Sequence, residues 1–581
     1  MSSGITVQNR GLAGFILEVP LGRRVSNTDE LFVTMPESVC NTETEDYRLI
    51  SWGDPVVRST LPRDIDGSNA PRLIFENISG HYYYLLHFKI TGEIIFGNSL
   101  FGILPVYYCK KGDNLAVSDN AIALGEYAGY GKISYRFLLE MILFNYPISD
   151  ISIFESVKLL GVNSHIRVSD GLWAENRHMA TENLFDCNPI PWKSAVDGAT
   201  AAFMEAADAF LPAGEYASAL TGGFDGRTLL AAGLGLGRKM TAFTFGTESS
   251  GDLMIASGLV ASEGIPFRKI LLDDDYIIKE SGSCGNEFII NASGSATFAR
   301  AHYLHAAKRL ADEFTVMITG NFGSEIFRSP HMTGALISDN LVSIFTSVNP
   351  DRAIQMIESS SEFRSLNKVA FSDAWHSLKA DIRMLPCFNR EYSGLTRNQQ
   401  FYLIVFNEVF RKYFGAEMIN QFRFIKNRTP FLDIGFLRVV FGSRLAGIHS
   451  DFFDHNPFKR YKGQVLYAHI IRNSWPRLGL FPTDKGYAPD NLLSIRGRAS
   501  IAAGYVSKRL RVRVKEADPY AVKEAWKHNS EYWKKIKVPG MFFNIDSEGM
   551  PAGSPGRDLL FRIISLSATV NRICGKGSDR S

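Results

Sequence analysis

The segment 215-EYASALTGGFDGRTLLAAGLG-235 constrains this chain more than any other. An apolar strand runs into Thr221-Gly222-Gly223 and then Asp225, and a helix opens at about Gly226. Glycines tolerate positive φ and let the backbone close on a ligand. The amide groups and positive dipole end of the following helix favour an oxyanion there. Thr221 adds a hydroxyl donor, and Asp225 adds a carboxylate of the kind that holds Mg²⁺. The spacing is neither that of a Walker A loop nor that of a dinucleotide fingerprint. The plainer alternative is a tight glycine turn before a helix, with Asp225 merely near the dipole.

The surroundings decide what sort of fold this unit belongs to. From about residue 190, short apolar strands alternate with helices: 193–211 reads as a helix, and 215–220, 240–246 and 314–320 read as strands. That alternation predicts a doubly wound parallel sheet with added helices. The first 180 or so residues read differently. Strands such as 82–90, 93–102, 105–109 and 114–119 follow one another across short turns, with helices at 121–128 and 135–144. Closely spaced strands of this kind predict antiparallel sheets packed face to face. The chain therefore divides into 1–185, 190–495 and a locally basic extension, 496–581.

Composition narrows the field. Of 581 residues, 45% are hydrophobic and 21% charged, too apolar and too evenly charged for a disordered chain. The net charge of +3 demands neither nucleic acid nor an anionic membrane as partner. Six scattered cysteines form no CxxC pair, which suits a reducing compartment. There is no secretory signal pattern and no apolar stretch of about 18 residues, so a cytoplasmic protein without a membrane span is expected.

The Thr-Gly-Gly-Phe-Asp-Gly turn resembles the pyrophosphate-binding loop SGGxDS of the ATP pyrophosphatase (PP-loop) enzymes. Further segments are similar, in order, to those of the asparagine synthetase family: 242-AFTFG-246, 316-VMITGNFGSEIFRS-329, 428-RTPFLD-433 and 482-PTDKGYAPD-490. In the first half, 98-NSLFGILPVYY-108 and 115-LAVSDNAIAL-124 look like that family's glutaminase-domain segments. The resemblance covers about the first 490 residues. It implies an N-terminal Ntn-hydrolase-like β-sandwich and a C-terminal PP-loop domain that uses ATP and Mg²⁺. By position it assigns nucleotide contacts to Leu220, Thr221, Gly222, Gly223, Asp225, Gly226, Arg227, Phe245, Thr319 and Gly320. It assigns metal contacts to Asp225 and Glu325, and catalysis to Asp225 and Lys485, whose ammonium would face developing negative charge.

The chain also departs from the pattern. Ser2 and Ser3 stand where glutamine-using members carry the cysteine nucleophile, and Asn98-Ser99 replaces the family's Arg-Asp pair. Both changes imply a retained scaffold without glutaminase activity. Asn321 and Ser324 replace an expected Glu and a metal-binding Asp, while Glu325 remains. Gly226 replaces a serine, and Arg227 reads equally as a phosphate contact or a solvated first-turn residue. Members lacking the cysteine, such as β-lactam synthetases and lasso-peptide cyclases, imply an amide-forming ligase acting on a small-molecule or peptide carboxylate and an amine. An impaired nucleotide-binding scaffold and a glutamine- or ammonia-dependent asparagine synthetase are the alternatives. The Thr429–Asp433 run reads as structural. His165, His302 and His305 show no ligand spacing. The basic 496–538 stretch reads as a solvated helical face, or as a dock for an anionic partner.

Overall fold

The tyrosine-rich run 82-YYYLLHF-88 shows why the first half folds as stacked sheets. Its residues alternate between two apolar surroundings, so the strand is buried on both sides. In a computed structural model, which describes residues 14–22, 24–35, 39–61, 65–185, 190–327, 336–449, 462–510, 518–545 and 556–578, this half holds two antiparallel sheets. One has the order β2 (Phe32–Thr34), β1 (Ile16–Pro20), β8 (Asn114–Ser118), β7 (Tyr107–Lys111), β9 (Lys158–Leu159). The other runs β11 (Leu172–Arg177), β10 (Ser164–Ser169), β6 (Ile94–Asn98), β5 (Ile78–Phe88), β4 (Tyr47–Val57), β3 (Val39–Glu43).

Phe15, at the start of the first sheet, meets Trp52 and Tyr83 of the second edge-to-face, with ring centroids 5.1 and 5.0 Å apart. Such contacts contribute about 0.5–1.5 kcal/mol each beyond burial. The opposite face of the larger sheet, with Tyr82, Tyr84 and Leu86, is covered by the Ala70–Asn77 helix through Ile74. Ser2 and Ser3 lie outside the described residues, as do Arg511, Arg513 and Lys515 of the basic stretch.

The second half carries five parallel strands in the order β14 (Phe267–Leu271), β13 (Met240–Gly246), β12 (Tyr216–Ala219), β15 (Val316–Ile318), β16 (Lys426–Arg428). The chain moves outward on one side from β12 to β14 and then returns to start β15 on β12's other edge. The β12–β15 gap is thus the point where strand order reverses, the position at which open parallel sheets commonly bind ligands. The strand expected over 314–320 is confined to Val316–Ile318. The element 428-RTPFLD-433 begins on a strand, not solely on a turn.

Buried ions tie the halves together. Arg428 of β16 grips Asp54 of β4 through two bonds of 2.6 and 2.9 Å, and its other nitrogen donates to the Phe210 carbonyl at 3.0 Å. Arg411 donates to the Leu160 carbonyl at 2.7 Å and pairs with Asp150. The chain past residue 495 also packs inward. Trp533 stacks on Phe298 at 4.1 Å, and the Arg557–Ser578 helix buries Phe561, Ile563 and Ile564. Among the described residues, no helix is long and apolar enough to cross a membrane.

Three histidines of the larger sheet, His81, His87 and His165, are buried; desolvation lowers all three, His81 and His165 to about 4. The fold thus holds their neutral forms, whereas the unfolded chain protonates near 6.5. Stability should therefore be complete above pH 6.5 and decline as pH falls toward 4, by roughly 3 kcal/mol for His81 alone. Urea unfolding at pH 7 and pH 4.5 measures this. In the His81→Phe variant the pH dependence should shrink, and an identical slope would remove His81 from the account.

Candidate active site

The turn after β12 and the turn after β15 meet at the sheet's reversal point, and glycines set how close they come. A Cβ on Gly226 would collide with the carbonyl of Ala219, so the serine expected there has no room. A Cβ on Gly320 would lie 2.6 Å from the Cβ of Asp225, and one on Gly323 2.7 Å from its Oδ1. Asp225 thus sits half-buried at the seam, on the first turn of the Asp225–Gly235 helix. Ser324 donates to its Oδ2 at 2.9 Å, and Tyr467 donates to its Oδ1. Ser324, where a metal-binding Asp was expected, therefore turns a hydroxyl toward the surviving carboxylate. Glu325 follows it on the short Gly323–Phe327 helix.

The glycine turn carries two hydrogen bonds of its own. Gly222 N–H donates to Asp252 Oδ1 at 2.9 Å, and Gly223 N–H to Thr221 Oγ1 at 3.3 Å. Burial raises the Asp252 carboxyl above its ordinary range, as does Asp484 nearby, while the Gly222 amide opposes them. Gly222 N–H is consequently engaged by a carboxylate.

The sequence reading of Arg227 needs correction. The residue is fully buried, neither solvated nor turned to a phosphate. Its guanidinium donates to the backbone carbonyls of Phe481 (2.5 Å), Pro482 (3.0 Å) and Leu478 (3.4 Å). Desolvation lowers its pKa to about 10, with Asp484 opposing the shift. These carbonyls lead directly into 482-PTDKG-486. Asp484 N–H donates to the Gly222 carbonyl at 3.0 Å, and Gly486 turns at φ +85°. Lys485 Nζ then stands 5.4 Å from the ring centre of Phe224. Lys485 and the glycine turn, 260 residues apart in the sequence, are thereby neighbours.

Other assigned residues divide. Leu220 is buried, its backbone bonded into β13. The Thr319 hydroxyl is spent on Asn427 Oδ1 at 2.8 Å. Phe245, at the end of β13, sits in a ring cluster with His302, Tyr303 and Tyr520. Asp433 caps the Ile434–Phe441 helix by accepting from Phe436 N–H at 3.0 Å, as the structural reading expected.

No protein-family model matches this chain, and no curated protein matches it. Among the solved structures that align with it are two amidotransferase-type chains. One is the glutamine phosphoribosylpyrophosphate amidotransferase from B. subtilis complexed with ADP and GMP, at 10% identity over 47% of this chain and 63% of that one, TM-score 0.17. The other is described as the allosteric regulatory enzyme of purine biosynthesis, at 11% identity over 45% and 60%, TM-score 0.19. This chain thus spans about three fifths of each. Likeness this slight assigns no activity.

Sequence reasoning passed over Tyr467 and gave Asp252 and Asp484 no role. Tyr467 lies on a helix with no motif to flag it, and Asp252 and Asp484 matter only once the turns are folded together. Also unsignalled was the grouping of Glu280, Cys284 and His305, the one set of three potential metal ligands within 4.8 Å of one another among the described residues. Neither Asp225 nor Glu325 belongs to it.

Proposed function

We propose that this protein is an ATP-dependent amide-forming ligase related to the asparagine synthetases and built on a PP-loop domain. A carboxylate oxygen of the substrate attacks the α-phosphorus of ATP, the α–β phosphoanhydride bond breaks and pyrophosphate leaves. An amine nitrogen then attacks the activated carbonyl carbon, AMP departs and the nitrogen loses a proton. The observation that carries this reading is the meeting of three turns, after β12, after β15 and at Pro482–Gly486, at the reversal point of a parallel sheet.

The residues suit a magnesium-bound polyphosphate in kind. Asp225 is a half-buried carboxylate against which Gly320 and Gly323 pack closely, and Glu325 supplies a second hard oxygen donor. With nucleotide bound, the metal would neutralise phosphate charge. Lys485 would place an ammonium where negative charge develops, and Thr221 would offer its hydroxyl. Arg227, buried on the carbonyls of Leu478, Phe481 and Pro482, holds the Lys485 turn. In the first half, Asn98 donates to the Leu104 carbonyl at 2.7 Å and Ser99 N–H to the Tyr82 carbonyl at 2.9 Å. Both positions thus carry structural bonds, which supports reading that half as a scaffold without glutaminase activity.

The test is pyrophosphate release from Mg·ATP across a panel of carboxylates and amines. Asp225→Asn should abolish it; an unchanged rate would mean the turn is mis-assigned. A specific observation favours the nucleotide-binding scaffold as second reading: both Asp225 oxygens accept hydroxyl bonds, and Asp252 occupies the Gly222 amide. Calorimetric ATP binding without turnover of any carboxylate would support the scaffold.

A further inference from the structure

A cavity of about 300 Å³ lies outside the seam, between the parallel-sheet half and the chain beyond residue 517. None of Leu220–Arg227, Thr319–Gly323 or Lys485 lines it. Four rings, Tyr303, Tyr413, Tyr520 and Phe561, form much of its wall. The hydroxyls of Tyr303, Tyr413 and Tyr520 have no hydrogen-bond partner among the described residues, although burial holds Tyr303 and Tyr520 in the neutral, donating form. Aromatic walls with a few convergent polar groups, at this volume, are the usual make-up of a small-molecule pocket.

The charges on the wall select among ligands. Arg300 is committed: it pairs with Glu417 at 3.0 Å, donates to the Tyr413 carbonyl at 2.7 Å and lies 3.9 Å over the Tyr413 ring. Arg562 donates to the Ile142 carbonyl and approaches Glu362 at 3.5 Å. Arg557 is different. It is half exposed, is held among the described residues by its neighbour Asp558 at 3.5 Å, and stands at the positive end of the 22-residue Arg557–Ser578 helix. That corner favours a negative group. Asp518 and Asp558 in the same wall disfavour a doubly charged phosphate, which leaves a single carboxylate.

We propose that this cavity binds a small aromatic carboxylate, its ring between Tyr413, Tyr520 and Phe561, its acid group at Arg557 and its polar substituents on the free tyrosine hydroxyls. The inference does not rest on the nucleotide reading: no residue of the glycine turn or of the turn after β15, nor Lys485, lines the cavity, although Phe245 packs against its wall residues His302, Tyr303 and Tyr520. Asn321 links the two sites: it donates to Glu417 Oε1 at 3.0 Å, and Glu417 holds Arg300.

The experiment is calorimetric titration of the full chain with 4-hydroxybenzoate, with no nucleotide present. One saturable site is expected. Affinity should fall at least tenfold for 4-hydroxybenzyl alcohol, which lacks the acid, and for cyclohexanecarboxylate, which lacks the flat ring. It should fall as far in Tyr303→Phe, which removes one hydroxyl, and in Arg557→Gln, and should vanish in Ala299→Leu, which narrows the cavity. Thermal unfolding of each variant confirms that it is folded. Absence of saturable binding by 4-hydroxybenzoate, equal affinity for the alcohol, or binding untouched by Tyr303→Phe and Ala299→Leu would overturn the proposal.

Discussion

In the Lys485→Ala variant, pyrophosphate release from ATP should fall by at least ~10²-fold while ATP binding stays nearly unchanged. The expectation rests on where the turn sits. Pro482–Gly486 is closed by the Gly486 N–H bond to the Thr483 carbonyl at 2.9 Å and is hooked to the glycine turn by Asp484. A lysine carried on a turn fixed at both ends can meet charge that forms only as the reaction proceeds, with little reorganisation. Interactions of that kind lower the turnover rate when removed and leave ground-state affinity alone. A large loss of ATP affinity at preserved turnover would move Lys485 from catalysis to binding. Full activity would remove it from the mechanism.

Replacing Arg227 by methionine should destabilise the protein by about 2–4 kcal/mol, since the carbonyls of Leu478, Phe481 and Pro482 lose a buried donor. Methionine keeps most of the volume, so the loss reports hydrogen bonding and not a cavity. The damage should be local as well as global: amide exchange over residues 481–487 should accelerate well before the sheet opens. Arg227→Lys keeps a positive charge but lacks the planar fork that reaches several carbonyls, and should recover only part of the stability. Urea unfolding with site-resolved hydrogen exchange checks both. Unaltered exchange over 481–487 in Arg227→Met would mean the guanidinium does not hold that turn.

Much of the architecture was legible because burial leaves a periodic signature. Strands β5 to β8 and the helices at Ala121–Ala128, Tyr135–Phe144 and Trp192–Phe210 follow from apolar spacing. Strand β16 was not legible. Its residues, Lys426-Asn427-Arg428, are all polar, and they are in a sheet because partners distant in sequence satisfy them. Asn427 Oδ1 accepts from the Thr319 hydroxyl at 2.8 Å, and Arg428 is neutralised by Asp54. The candidate site divides in the same way. The glycine turn announced itself through order and spacing, whereas Arg227 misled, because a first-turn arginine is ordinarily solvated. Its burial is created by a segment 250 residues later, and no local pattern encodes that. Tyr303, Tyr413 and Tyr520 likewise share one cavity wall although more than 200 residues separate the first from the last.

The clasp between Asp54 and Arg428 has an evolutionary corollary. A recombination event that replaced the front segment with one lacking an acid at this position would leave Arg428 without its counter-ion at a largely buried interface, at a cost on the order of a few kcal/mol. Inheritance of the two segments is therefore yoked. Whatever chemistry the front portion performs, it would be kept as the counter-ion and the lining on which its companion depends.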